Sequence, residues 1–282
     1  MTLDPSKNEL ASSSGIEIIS TDFPRGPKRA AIFDFDGTLS LLRRNWQDVM
    51  IPMMVDELSA TGTTESRENL HAHVEEFVMR LNGRQTIYQM IQLAEEVSGR
   101  GGTALDPLVY KHRYHDMLWQ EVGRRIDSVR GGRVPPDELT VPDSRRLLVQ
   151  LKAKGLALFL ASGTDLKYVR DELGVLELDA FFGGQVYGAL DDYKRFSKAL
   201  IIERMIRESG FPGQEIVAFG DGYVEIEEIK KVGGLAVGVA SNEESRTGIN
   251  VWKRQRLVRA GADIIVGDYC QQDILFELIG IG

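Results

Sequence analysis

Apolar positions follow two periods along this chain, and the architecture changes where the period changes. Residues 30–33, Ala-Ala-Ile-Phe, form an unbroken apolar run that predicts a buried strand of a parallel sheet. From 46 to 130 the period is helical, with helices predicted over 46–58, 65–81, 85–97 and 107–129. Leu70, Val74, Phe77, Val78 and Leu81 form the i, i+4, i+7, i+8 stripe of a helix with one buried face. Asp106 followed by Pro107 marks a helix start, a capping carboxylate and then a first-turn proline. The breaks at 61–64, 82–83 and 99–102 are short, as in an antiparallel helical bundle. Beyond 140 the periods alternate. Helices are predicted over 143–154, 165–173, 197–209, 224–232 and 271–279, and strands over 155–161, 215–220, 235–240 and 262–266. The stretch 181–190 is Gly-rich and mixed, and 16–20 reads as a short edge strand before Pro24 and Pro27. Such alternation predicts an α/β fold with a doubly wound, mainly parallel sheet. The core is expected at 16–40 plus 141–282, a helical insert at 41–140, and a polar, fraying start at 1–15.

Composition narrows the partners. The 282 residues suffice for one large domain or two modest ones. A net charge of −8 argues against nucleic acid or an anionic membrane as main partner, and makes any anionic substrate depend on local cations. The single cysteine, Cys270, excludes an intrachain disulfide and points to a reducing compartment. No apolar run approaches a membrane span, and residues 1–15 lack the basic start and apolar centre of a secretory signal. The expectation is a cytoplasmic monomer or homodimer.

The chemistry begins where the first strand ends, at Asp34-Phe35-Asp36-Gly37-Thr38. Open α/β sheets bind ligands beyond the carboxyl ends of their strands. Two carboxylates one residue apart on that rim are costly unless a cation shares the site, and Mg²⁺ accepts such oxygen ligands. A carboxylate facing a bound phosphate can also act as a nucleophile. A solvated Asp-Gly turn is the plain alternative. These five residues resemble the first motif of the haloacid dehalogenase superfamily of phosphohydrolases.

Three later stretches bear on that resemblance. Ser162-Gly163-Thr164 follows a predicted strand, where a hydroxyl and free backbone N–H groups at a helix start can hold phosphate; ordinary loop chemistry is the alternative. Ser162 stands at the position that matches the superfamily's second motif, with Gly163 and Thr164 beside it. A lysine is needed as a point charge on phosphate. Lys198, after a capping Ser197, has a spacing to Asp221 similar to that in smaller family members, and Lys194 is the alternative; a solvated surface lysine is the ordinary case for either. Gly220-Asp221-Gly222-Tyr223-Val224-Glu225 sets two acids four residues apart, on the same side of the next helix. The family pattern usually ends in Asp. Glu225 is one methylene longer, which leaves open whether it touches a metal or holds one of its waters.

The resemblance implies a mechanism. Asp34 attacks phosphorus and forms an aspartyl-phosphate, while Asp36 protonates the leaving oxygen and then activates water. Mg²⁺ is held by Asp34, the Asp36 carbonyl, Asp221 and Glu225, and Ser162 and Lys198 bind the non-bridging oxygens. The helical insert after the first motif resembles the phosphoglycolate phosphatase-like branch. That implies hydrolysis of a small phosphomonoester, a sugar phosphate or a phosphoglycolate-like acid. A phosphomutase with the same nucleophile, or a catalytically silent binding module, are the alternatives; a dehalogenase has no need of Asp36 as acid and base. Arg43 and Arg44, just past the motif, either reach substrate or sit exposed on a flap. His112 and His115 are spaced i, i+3 but lack a nearby Cys or second pair for zinc. Tyr110, Tyr114 and Trp119 read as packing, and the basic run 253–259 as a solvated face.

Overall fold

In the computed structural model, which describes residues 15–189 and 198–281, the chain opens with β1 (Glu17–Ile18) and β2 (Ala30–Phe33). Four helices follow: α1 (Gln47–Ser59), α2 (Arg67–Arg80), α3 (Thr86–Gly99) and α4 (Pro107–Arg130). The remainder alternates through α5 (Ser144–Ala153), β3 (Ala157–Asp165), α6 (Leu166–Val175), α7 (Asp179–Phe182), β4 (Val186–Ala189) and α8 (Lys198–Ser209). It ends with β5 (Ile216–Gly220), α9 (Tyr223–Lys231), β6 (Leu235–Val239), α10 (Val251–Arg259), β7 (Ile264–Val266) and α11 (Gln272–Ile279). Among the described residues seven strands form one sheet in the order β1-β7-β6-β5-β2-β3-β4. Every pairing is parallel except the edge pair β1–β7. The sheet is the doubly wound α/β fold that the alternation predicts.

Strand pleating sorts the apolar run onto two faces. Phe33 pairs in register with Leu160 and Phe219, and all three enter one apolar cluster. Ile32 pairs with Phe159 and Ala218, which belong to the cluster on the opposite face. Phe33 and Phe219 stack at 4.7 Å between ring centroids. Each face of β2 enters an apolar cluster, Ala31 and Phe33 on one side and Ala30 and Ile32 on the other, so the run needs no polar alternation.

Two strands differ from expectation. The strand expected over 155–161 runs on to Asp165, so Ser162-Gly163-Thr164 is part of β3 and not a loop after it. The mixed stretch 181–190 contains the edge strand β4. Gly183 and Gly184 and the brevity of the strand hide its period in the sequence.

The helices α1–α4 turn their apolar stripes inward: Leu70, Val74, Phe77 and Val78 of α2 are all buried. Ser66 caps α2 by accepting from Asn69 N, and Asp106 caps α4 by accepting from Leu108 N. The two connections to this insert lie side by side. Leu41 N donates to Leu139 O and Val141 N to Leu39 O, tying entrance to exit. Among the described residues no helix is long and apolar enough to cross a membrane.

Candidate active site

Asp34 continues the β2 ladder, its N–H donating to Phe219 O at 2.9 Å, and then the chain turns. Its buried carboxylate accepts from Phe35 N at 2.7 Å. The turn is closed by Gly37 N donating to Ser40 O, and Gly37 has φ +72°. A Cβ at Gly37 would stand 2.3 Å from Asp221 Oδ2 and 2.8 Å from Lys253 Nζ. Both the backbone sign and the close approach therefore demand glycine. Thr38 joins the turn to the next strand end: its Oγ1 accepts from Asp221 N at 3.0 Å.

The second stretch reaches the site through a bulge. β3 pairs Leu160 with Val186 and Ala161 with Tyr187, but next pairs Asp165 with Ala189. Four steps along β3 thus answer two along β4, and residues 162–164 leave the ladder. Thr164 Oγ1 donates to Asp36 Oδ2 at 2.8 Å, and Gly163 and Thr164 line the same cavity as Asp34 and Asp36. Ser162 is buried one layer below, its Oγ accepting from Thr164 N at 3.0 Å, and is not among the lining residues.

Arg43 is fully packed beside Asp36. Its guanidinium grips Glu172 of α6 through Nε at 3.0 Å and Nη2 at 2.5 Å, and Nε lies 3.8 Å from Asp36 Oδ1. Burial works against the Arg43 charge, but Glu172 and Asp36 together outweigh it and keep the pKa raised. Arg44 is not brought to the cavity; its carbonyl and that of Leu42 accept from Arg125 Nη1 on α4.

Asp221 follows β5 and lines the cavity. Glu225 does not: it is fully buried on α9, its Oε2 within about 3 Å of where Cβ atoms at Gly220 and Gly222 would lie. Lys198 begins α8, with its side chain outside what is described, and Lys194 lies outside the described residues. Of the basic run 253–259, read as a solvated face, Arg259 is exposed but Lys253 is not. Lys253 is buried, with Nζ 2.8 Å from Asp221 Oδ2, 2.6 Å from Glu243 Oε1 and 3.2 Å from Ser241 Oγ. Burial works against this ammonium, yet Asp221 and Glu243 hold its pKa above the ordinary value.

The insert roofs the cavity. Trp46, Met50, Asn82, Gly83, Arg84, Thr86, Gln89 and Tyr114 face Asp34, Asp36, Arg43, Asp221 and Glu243 across an interior volume of about 100 Å³. Arg84 Nε donates to Tyr223 Oη at 2.7 Å, and Arg256 Nη2 donates to Asn82 O at 3.0 Å. Deeper in the seam Lys111 of α4 pairs with Asp165 at 2.7 Å, both buried. Tyr110, read as packing, is core, and Trp119 stays 39 % exposed against Tyr168. Tyr114, read as packing, is buried but lines the cavity. Burial raises its hydroxyl pKa, Arg43 opposing and Asp36 adding to the rise. Helical periodicity places Tyr114 and Gln89 on an inward face without distinguishing core from cavity.

The acidic residues lining this cavity are Asp34, Asp36, Asp221 and Glu243, and neither His nor Cys is among the lining residues. Among the described residues no three His, Cys, Asp or Glu side chains come together as a metal site. That set fits a hard cation that keeps much of its water shell, as Mg²⁺ does with one or two carboxylates. It does not suit zinc.

A family model described as haloacid dehalogenase-like hydrolase matches residues 28–233. Among curated proteins none matches the sequence. Solved structures share the fold at low identity. A predicted phosphoglycolate phosphatase from Haemophilus somnus is 18 % identical over 88 % of this chain and 97 % of its own, with a TM-score of 0.56. A hydrolase from Pseudomonas syringae is 18 % identical over 90 % and 100 %, with a TM-score of 0.58. A β-phosphoglucomutase from Clostridium difficile is 15 % identical over 89 % and 97 %, with a TM-score of 0.57.

Proposed function

The chain belongs to the haloacid dehalogenase-like hydrolases, and on that premise we propose that it is a Mg²⁺-dependent phosphatase of a small phosphomonoester. One observation carries the reading: Asp34 and Asp36 from the end of β2 and Asp221 from the end of β5 face one roofed cavity. An Asp34 oxygen attacks phosphorus and forms a P–O bond as the ester P–O bond breaks. Asp36 gives its proton to the departing oxygen, then takes one from the water that attacks the aspartyl-phosphate. Phosphate leaves and Asp34 returns as a carboxylate. Thr164 Oγ1 on one Asp36 oxygen and the Arg43 guanidinium near the other support a fixed acid–base group. Gly163 and Lys198 are the proposed supports for the non-bridging oxygens, and Ser162, away from the cavity lining, supports the Thr164 N–H from beneath. Mg²⁺ would be held by Asp34, the Asp36 carbonyl and Asp221, and would supply neutralisation of the charge on the transferring group. Glu225, away from the cavity, is better suited to support the 220–222 turn than to direct ligation.

The roof supports a small substrate. A roof of Thr86, Gln89 and Tyr114 over the carboxylates suits a sugar phosphate or short acid phosphate better than a protein or polynucleotide chain. The closed seam also suits return of the phosphoryl group to a sugar hydroxyl, a phosphomutase reaction, which release of inorganic phosphate distinguishes. The test is turnover of p-nitrophenyl phosphate. EDTA should abolish it, Mg²⁺ restore it, and Ca²⁺ restore it poorly, because Ca²⁺ relaxes octahedral geometry. Full activity in metal-free protein contradicts the proposal.

A further inference from the structure

Lys253 is a buried cation standing on a carboxylate proposed to bind another cation. Three unrelated stretches deliver it there. Asn250 caps α10 by accepting from Lys253 N at 3.0 Å, which fixes Lys253 in the first turn. Asn250 N donates to Ala240 O, and Ser241 bridges to Ile249, so the intervening loop is closed back onto the strand rim. Ser241 Oγ then donates to Gly37 O at 2.6 Å, locking this corner to the turn after Asp34. The ammonium divides its contacts between Asp221 Oδ2 at 2.8 Å and Glu243 Oε1 at 2.6 Å. Glu243 lines the same cavity as Asp221.

We propose that Lys253 and Glu243 form a counter-charge pair that sets how tightly Asp221 takes a divalent cation. This rests on the reading of the cavity as a Mg²⁺ site. An ammonium within hydrogen-bond reach of a ligand oxygen competes with an entering cation for that oxygen and repels it. Glu243 draws the ammonium partly away and adds its own negative charge to the cavity. The two residues therefore act in opposite directions on one equilibrium. A lysine with a merely structural role would act in one direction: losing either partner would loosen the corner and weaken cation binding. Lys253 is thus a positioning residue for the cation, distinct from the lysine needed on phosphate.

The experiment is calorimetric titration of the full-length, metal-stripped protein with Mg²⁺ alone, with no substrate present. Lys253→Met should bind Mg²⁺ on the order of tenfold tighter, and Glu243→Gln on the order of tenfold weaker. The double variant should return close to the parent. Thermal melting by circular dichroism checks each fold, and Lys253→Gln carries the same expectation should Lys253→Met not fold. Weaker or unchanged binding in a folded Lys253 variant overturns the pair while leaving the Mg²⁺ site standing. Absence of Mg²⁺ binding in the parent overturns both.

Discussion

Arg43 shows how one residue joins stability to the site. Its side chain and that of Glu172 are 7 % and 0 % exposed, so the pair has little water to fall back on. Removing one partner of such a pair leaves an uncompensated buried charge. Arg43→Met should lower unfolding stability by about 3–5 kcal/mol, and Arg43→Met with Glu172→Leu should recover most of it. Urea unfolding of the three proteins checks this, and equal losses in single and double variants would contradict it. At this scale legibility depended on chain distance. Asp34 and Asp36 adjoin a strand whose apolar run is plain in the sequence, so their place at a sheet rim follows from neighbours. Lys253 meets Asp221 through a loop closed by Asn250 and Ser241, and no local period encodes that return. The same holds for Arg43 and Glu172, partners 129 residues apart.

Elements were legible wherever a period ran long enough. The stripe of α2, the cap of α4 and the apolar run of β2 each appear in the sequence by a local rule. The extension of β3 was not, because residues 162–164 leave the ladder in a bulge before Asp165 returns to β4. Between elements, the seam of α4 on α6 holds a testable group. His115 of α4 stacks on Tyr168 of α6 at 5.2 Å, and its Nε2 has no hydrogen-bond partner among the described residues. Burial, then the charges of Arg43, Lys111, His112 and Lys167, push the imidazole from 6.5 down to about 3. The folded chain keeps His115 neutral where the unfolded chain takes a proton. The stability this represents is full above about pH 6.5 and is lost as pH falls from there toward about 3, with a slope of about 1.4 kcal/mol per unit. His115→Phe keeps the stack and removes the titration. Its stability should fall less than the parent's between pH 7 and pH 5 in urea unfolding; parallel losses would show that His115 does not titrate as described.

At the scale of the molecule, the sheet presents acids at the ends of two strands, and the insert covers them from two paired linkers. A roof held on the core by the Arg84–Tyr223 and Arg256–Asn82 contacts can keep water from the proposed acyl phosphate. The linkers 39–41 and 139–141 support each other through backbone hydrogen bonds, which favours motion of the insert as a unit. The central claim is that the phosphoryl group passes through Asp34. Rapid acid quenching during turnover, followed by borohydride reduction and peptide mass spectrometry, reads this directly. The account predicts that the reduced product of aspartyl-phosphate appears at Asp34, and that Asp34→Asn shows neither product nor turnover while unfolding like the parent. Sustained turnover in Asp34→Asn, or a trapped phosphoryl group on another residue, would contradict it.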